Sequence, residues 1–190
     1  MKYAFFPGCV LRGAASEAFL ATVKVTEALG VELVEIPSWT CCGASHLQDV
    51  DELTALAVNA RNLAIAESMG LPLLTVCNTC TLQLRRAKAA LDTDAELKKK
   101  VNALLAPAGY EYKGTGRVTH LLWELVSQPQ LLAGKVAKPL NGWRVAPYYG
   151  CHLLRPPEIM NYEDCFHPQS LEKVIVALGA QPVEFAWKIK

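Results

Sequence analysis

Apolar residues recur along the chain at two spacings, short unbroken runs and helical stripes, and they alternate from the first residues onward. Residues 3–6 form an apolar run closed by Pro7-Gly8, which predicts a buried strand opening into a loop that carries Cys9. Residues 15–29 repeat Ala18, Ala21, Val25, Ala28 and Leu29 at helical spacing, and Gly30 supplies the C-terminal cap. A second strand follows at 31–36 and stops at Pro37. Residues 39–46 show no periodicity and are small, so they predict a loop presenting Cys41 and Cys42 side by side. Residues 51–69 read as a long helix, acidic at its start and followed by Gly70. A buried strand at 71–76 then leads to Cys77-Asn-Thr-Cys80 and a helical run at 82–91, which sets the cysteine pair at a helix N-terminus, where thiolate is favoured. A charged helix is expected over 94–106, with weaker helical segments at 118–126 and 130–137.

Strands alternating with helices argue for an α/β fold, a Rossmann-like module with a mainly parallel sheet. In such sheets sites gather at the C-terminal ends of strands. Cys9, Cys41, Cys42, Cys77 and Cys80 all fall at such ends.

The pattern also repeats. Phe5-Phe6-Pro7-Gly8-Cys9 returns as Pro147-Tyr148-Tyr149-Gly150-Cys151, and the run from Glu27 to Glu35 returns from Val176 to Glu184 with Gly179 in the place of Gly30. The chain therefore reads as a first module over residues 1–139 and the beginning of a second over 140–190. The offset that leads from Gly30 to Cys41 leads from Gly179 to Lys190, so a second cysteine pair is expected beyond the last residue and the chain is expected to be part of a longer protein.

Composition narrows the function. Half of the 190 residues are hydrophobic (52%), ample for a core. With 19 Lys plus Arg against 18 Asp plus Glu, no basic field exists to attract nucleic acid or an anionic membrane. The N-terminal apolar run is too short for a signal peptide, and no apolar stretch reaches the roughly 18 residues of a membrane span. The expected location is cytoplasmic, with membrane association only through partners. Seven cysteines in that compartment point to metal or redox chemistry rather than structural disulfides.

Cys9, the adjacent pair Cys41-Cys42 before Gly43, and Cys77-x-x-Cys80 exceed the four ligands of a structural zinc site, although zinc remains an alternative occupant. Thiolates are the ligands of iron–sulfur clusters. Cys77-x-x-Cys80 alone also fits a thioredoxin-like dithiol. His46 and His152 flank cysteine loops, as hydrogen-bond donors to sulfur or as ordinary loop residues. Trp39 either shields the site or packs in the core, and Asn78 and Thr79 are candidate donors to sulfur. Cys165 and His167 read as bystanders, and His120 as a structural residue opening a helix.

The motifs Phe-Pro-Gly-Cys9, Cys41-Cys42-Gly43, Val-Cys77-Asn-Thr-Cys80, Lys138-Pro-Leu-Asn-Gly142 and Tyr-Gly-Cys151-His-Leu-Leu154 resemble the B-type component of heterodisulfide reductase and the wider cysteine-rich (CCG) domain family. That family includes iron–sulfur subunits of some succinate or fumarate dehydrogenases, glycolate oxidase and lactate-utilisation proteins. The resemblance implies a noncubane [4Fe-4S] cluster on Cys9, Cys41, Cys42, Cys77 and Cys80, with Cys151 as first ligand of an incomplete second site. It further implies an oxidoreductase working within a complex, beside a ferredoxin-like iron–sulfur subunit and a flavoprotein subunit, on a small disulfide of the coenzyme M–coenzyme B type. Two other roles stay open: a subunit passing electrons to or from quinone in a succinate, fumarate or glycolate oxidoreductase, and a zinc-stabilised module without turnover. The gap before Cys77 is short for the family, and the second repeat lacks its cysteine pair and Cys-x-x-Cys.

Overall fold

The structure is a computed structural model and describes residues 1–44 and 46–189. Ser45 of the predicted cysteine loop and Lys190, the expected counterpart of Cys41, lie outside the described residues.

Four parallel strands form the main sheet in the order β2-β1-β3-β4: β1 is Lys2–Phe5, β2 Glu32–Glu35, β3 Leu73–Thr75 and β4 Val118–His120. The helices that cross between them are α1 (Gly8–Arg12), α2 (Ser16–Leu29), α3 (Leu47–Val50), α4 (Glu52–Ser68), α5 (Asn78–Thr93) and α6 (Ala95–Leu105). The α/β reading with a parallel sheet therefore holds. Gly30 closes α2 in the left-handed conformation at φ 72°, and the Asp51 side chain caps α4 by accepting from the Thr54 amide at 3.0 Å.

Alternation along β1 sorts its side chains into two cores. Ala4 and Phe6 join Leu63, Leu73, Leu84, Leu91 and Val101 under α4, α5 and α6. Tyr3 and Phe5 face the other way, onto Leu11, Val31, Leu74 and the α2 residue Phe19. Burial of both faces explains why β1 and β3 read as continuous apolar runs rather than alternating ones.

Three local expectations change. The segment predicted as one weak helix over 118–126 begins as β4, and only Leu121–Ser127 is helical (α7). The β-branched pair Val118-Thr119 sits in a fully buried parallel edge, which suits it better than a helix. The helix expected over 130–137 reduces to one 3-10 turn at Pro129–Leu131, with Gly134 at positive φ breaking any continuation. Cys9 lies in the short helix α1 instead of a loop.

The C-terminal part contains β5 (Arg144–Val145), α8 (Cys151–Leu154), α9 (Pro157–Met160), α10 (Ser170–Ala177) and β6 (Gln181–Pro182). β5 and β6 pair in parallel with Arg144 opposite Gln181, and these residues match Lys2 and Glu32 in the internal repeat, which are themselves paired. This part shares a core with the first, in which Tyr149, Leu153, Leu154 and Met160 close over Leu82, Leu122 and Trp123. Helix α5 is thus enclosed from two sides, with Leu84, Ala87 and Leu91 in one core and Leu82 in the other.

Buried Glu124 ties β1, β4 and α7 together. Its carboxylate accepts from Tyr3 at 2.5 Å, Thr119 at 2.5 Å, Arg117 at 2.7 Å and Gln128 at 2.9 Å. Burial pushes its pKa up, but Arg117, Thr119 and Tyr3 together outweigh burial and hold the group below the usual carboxylate range. A depressed folded-state pKa contributes stability above the unfolded value, about 4.3, which is lost as pH falls through the folded value. Glu124→Ala is expected to cost about 2–4 kcal/mol by leaving buried hydroxyls without an acceptor. Glu124→Gln should flatten the acid limb of stability, measured as the urea midpoint between about pH 7 and pH 3.

Candidate functional site

Because β1, β2 and β3 are adjacent and parallel, the segments that leave them start from one edge of the sheet. The first carries Cys9 on α1, the second Cys41 and Cys42, and the third Cys77 as the N-cap of α5 with Cys80 in its first turn. Their sulfurs meet in sequence. Cys9 and Cys41 are 3.4 Å apart and Cys42 and Cys80 3.5 Å, while side-chain contacts link Cys41 to Cys42 and Cys80 to Cys77. The five thiols named from the sequence are thus brought together, Cys42 and Cys80 buried and Cys9 and Cys41 exposed. They touch pairwise along a chain, and among the described residues no group of three or more Cys, His, Asp or Glu side chains is set to grip a single metal ion.

Gly8 makes this approach possible. It lies at φ 76°, and a Cβ there would stand 2.9 Å from the Cys80 sulfur. Gly43, at φ 81°, turns the backbone after the cysteine pair, where a Cβ would fall 2.7 Å from Leu47.

Two asparagines of α4, which the cysteine spacing did not single out, hold the Cys41-Cys42 segment. Asn62, fully buried, accepts from the Thr40 amide at 3.0 Å and donates to the Thr40 carbonyl at 2.9 Å. Asn59 donates to the Cys42 carbonyl at 3.0 Å. The signal for them is two amides three positions apart on a helix otherwise rich in Ala and Leu, where a buried polar residue needs a partner. At the Cys77 segment, buried Thr75 accepts from the Cys77 amide at 3.2 Å and Thr81 donates to the Cys77 carbonyl at 2.9 Å. Trp39 packs edge-on against Phe6, with ring centroids 5.4 Å apart, and its indole N–H bonds Glu35 at 2.9 Å.

The electrostatics separate the thiols. The Cys80 thiol lies between Cys42 and Cys77, and hydrogen bonding to both, together with burial, pushes its pKa up. The same bonds bring Cys77 down to about 6, helped by the backbone N–H groups of Cys80 and Thr79, and Cys42 down to about 7, helped by that of Ala44. Burial raises Cys41, against a backbone bond from Gly43. Backbone N–H groups therefore face three of the five sulfurs.

The remaining candidates are placed as follows. His152 Nδ1 lies 2.9 Å from the Thr79 hydroxyl, and Gly150 packs so closely on Asn78 that a Cβ would stand 2.6 Å from its amide nitrogen. The segment bearing exposed Cys151 is thus seated on the start of α5. His46 is exposed, Cys165 is buried in the C-terminal core, and exposed His167 lies 3.4 Å from Asp164. His120 caps α7 by accepting from the Leu122 amide at 3.1 Å, and burial drives its pKa down to about 4, so it is neutral.

Comparison with known proteins puts names beside this geometry. Residues 3–85 match the cysteine-rich domain family, CCG. A fumarate reductase protein of Wolinella succinogenes, the "8-methylmenaquinol:fumarate reductase membrane anchor subunit", is 50% identical over 97% of this chain and 64% of its own length. The B-type component of the ferredoxin/F(420)H(2)-dependent CoB-CoM heterodisulfide reductase of Methanosarcina acetivorans is 34% identical over 99% of this chain and 63% of its own length. A protein of Archaeoglobus profundus, named for its likeness to the same heterodisulfide reductase component, is 34% identical over 95% and 62%. The chain therefore spans just under two thirds of these relatives. A solved hypothetical protein from Helicobacter pylori shares the fold, with TM-score 0.76 at 17% identity over 100% of this chain and 34% of that one.

Asn62→Ala is expected to cost about 2–3 kcal/mol, because it strands two backbone groups of Thr40. Unfolding in urea measures the loss, and faster labelling of Cys42 by a thiol reagent in the folded protein checks that the cysteine segment is what loosens. Gly8→Ala should likewise speed labelling of Cys80.

Proposed function

We propose that this chain, whose residues 3–85 match the cysteine-rich (CCG) domain family and which is 34% identical to the B-type component of a heterodisulfide reductase, is an iron–sulfur electron-transfer subunit of a multi-subunit oxidoreductase. The observation that carries the proposal is the meeting of Cys9, Cys41, Cys42, Cys77 and Cys80 at one sheet edge, with no oxygen or imidazole ligand among them.

This donor set fits a noncubane [4Fe-4S] cluster, which when bound accepts and releases single electrons. The five cysteines would hold it as thiolates. Cys42 and Cys77 are already lowered in pKa, toward about 7 and about 6, so losing their protons near neutrality costs little. The amides of Gly43, Ala44, Thr79 and Cys80 supply hydrogen bonds to sulfur, which orient the thiolates and offset their charge. Trp39, Phe6 and the core behind them exclude water from the inner side, while exposed Cys9 and Cys41 mark the side open to a redox partner. Residues 1–139 form the module that carries this centre, and 140–190 begin a second one whose first ligand is Cys151.

The partners follow from the relatives, which are named as components of reductases. A ferredoxin-like iron–sulfur subunit and a flavoprotein subunit would deliver or receive the electrons. The 50% identity to the Wolinella protein favours exchange with a quinol and a fumarate-type flavoprotein. Reduction of a small disulfide, the activity in the names of the Methanosarcina relatives, is the second reading. No helix of the described residues is long and apolar enough to cross a membrane.

The test is iron, sulfide and zinc analysis with electron paramagnetic resonance on protein made anaerobically with cluster assembly. About four irons per chain, lost in Cys41→Ser or Cys42→Ser, is the expected result. Zinc without iron would instead support a structural module. Reoxidation of the reduced protein by a water-soluble menaquinone analogue, compared with a small disulfide, separates the two redox readings.

A further inference from the structure

Within the converging set of five, two thiols form a pair at the surface. Cys41, on the segment after β2, donates to Cys9 on α1 with the sulfurs 3.4 Å apart, and both residues are exposed. Cys42 and Cys80 lie 3.5 Å apart but are buried, at 3% and 4% exposure, so that pair is closed to a reagent in solution. Cys165 is buried, and Cys151, though exposed, takes part in neither pair.

The backbone on both sides of the exposed pair is held. The Gly13 amide donates to the Cys9 carbonyl at 3.0 Å. Cys41 stands between Thr40, bracketed by Asn62, and Cys42, whose carbonyl accepts from Asn59. Thiols fixed in this way meet each other at an effective concentration far above that of any dissolved thiol. A disulfide sets its sulfurs about 2.05 Å apart, so closure asks for a movement of about 1.4 Å, within reach of side-chain rotation. Adjacent Cys41 and Cys42 are the poorer pair, since neighbouring Cα atoms are about 3.8 Å apart and a relaxed disulfide spans at least about 4.4 Å.

We propose that, when the chain carries no cluster, Cys9 and Cys41 act as an exchange site for small disulfides. One of the two attacks a sulfur of the small disulfide as thiolate, that S–S bond breaks, and the first small thiol leaves. The other protein sulfur then attacks the mixed disulfide, the Cys9–Cys41 bond forms, and the second small thiol leaves. The two protons of the protein thiols end on the two released thiols; the protein is oxidised by two electrons and the small disulfide reduced by two. The site differs from the Cys77-x-x-Cys80 dithiol that the sequence offers, whose Cys80 is buried. Both sulfurs also belong to the set proposed for the cluster, so disulfide and cluster exclude each other, a consequence that rests on that reading.

The experiment treats the full chain, freed of metal and of reductant, with glutathione disulfide, blocks the remaining thiols and maps the cysteine linkages by mass spectrometry. The expected main product is the Cys9–Cys41 disulfide, formed about tenfold or more faster than any product at Cys42 or Cys80, with a glutathionyl group left on Cys151. Cys9→Ser and Cys41→Ser should each lose the linkage and keep a glutathionyl group on the remaining thiol of the pair. In concentrated urea the preference for Cys9–Cys41 should disappear, because the fold creates it. Absence of the linkage, a main product joining Cys80 to Cys42 or Cys77, stable glutathionyl groups on both Cys9 and Cys41, or the same preference in urea would overturn the proposal. Protein loaded with about four irons should resist the treatment, and linkage with the iron retained would overturn the mutual exclusion. A chain that takes up no iron would sink the cluster assignment instead, and the mapping would still decide the exchange site.

Discussion

Parallel pairing of β1 between β2 and β3 is the constraint on which the site rests. Parallel strands need long crossovers, so residues that end neighbouring strands are far apart in sequence yet emerge at one edge. Thiols from three such segments come within 3.4 and 3.5 Å of one another in this way. Burial on both faces makes the strands apolar and their register firm, and the cysteine segments inherit that rigidity.

Crowding thiols is unfavourable without compensation, because each thiolate disfavours its neighbour and burial disfavours them all. The fold compensates locally. Cys80 shares hydrogen bonds with Cys42 and Cys77, and amides of the turn after Cys42 and of the first turn of α5 face the sulfurs. Asn59 and Asn62 satisfy the backbone of a segment that has no regular structure of its own. The site is therefore supported by α4 as much as by the strands that lead into it. Asn59 does this with one end of its amide while its Oδ1 is buried without a protein partner, a cost that sets it apart from Asn62.

The C-terminal part repeats the strand register of the first and shares a core with it. Its apolar side chains close on Leu82, Leu122 and Trp123, and Gly150 and His152 rest on Asn78 and Thr79. Helix α5 thereby joins the Cys77-x-x-Cys80 segment to the segment of Cys151.

Much is legible in the sequence, for identifiable reasons. Apolar runs closed by Pro or Gly mark β1, β2 and β3, helical stripes with caps mark α2, α4 and α5, and the cysteines announce themselves by residue type and position. The repeat, visible in Gly8-Cys9 and Gly150-Cys151, carries through to strand pairing. What fails is short and context-dependent: β4 and the 3-10 turn at Pro129–Leu131 each involve too few residues for periodicity to speak, and burial on a parallel edge overrides the helical pattern. The support of the site is decided by tertiary structure alone. That Gly8 clears the Cys80 sulfur, that Asn62 brackets Thr40, and that Asn59 holds the Cys42 carbonyl are consequences of crossing elements distant in sequence. A sequence states which groups can bond or ligate, but only packing brings together the pairs that do.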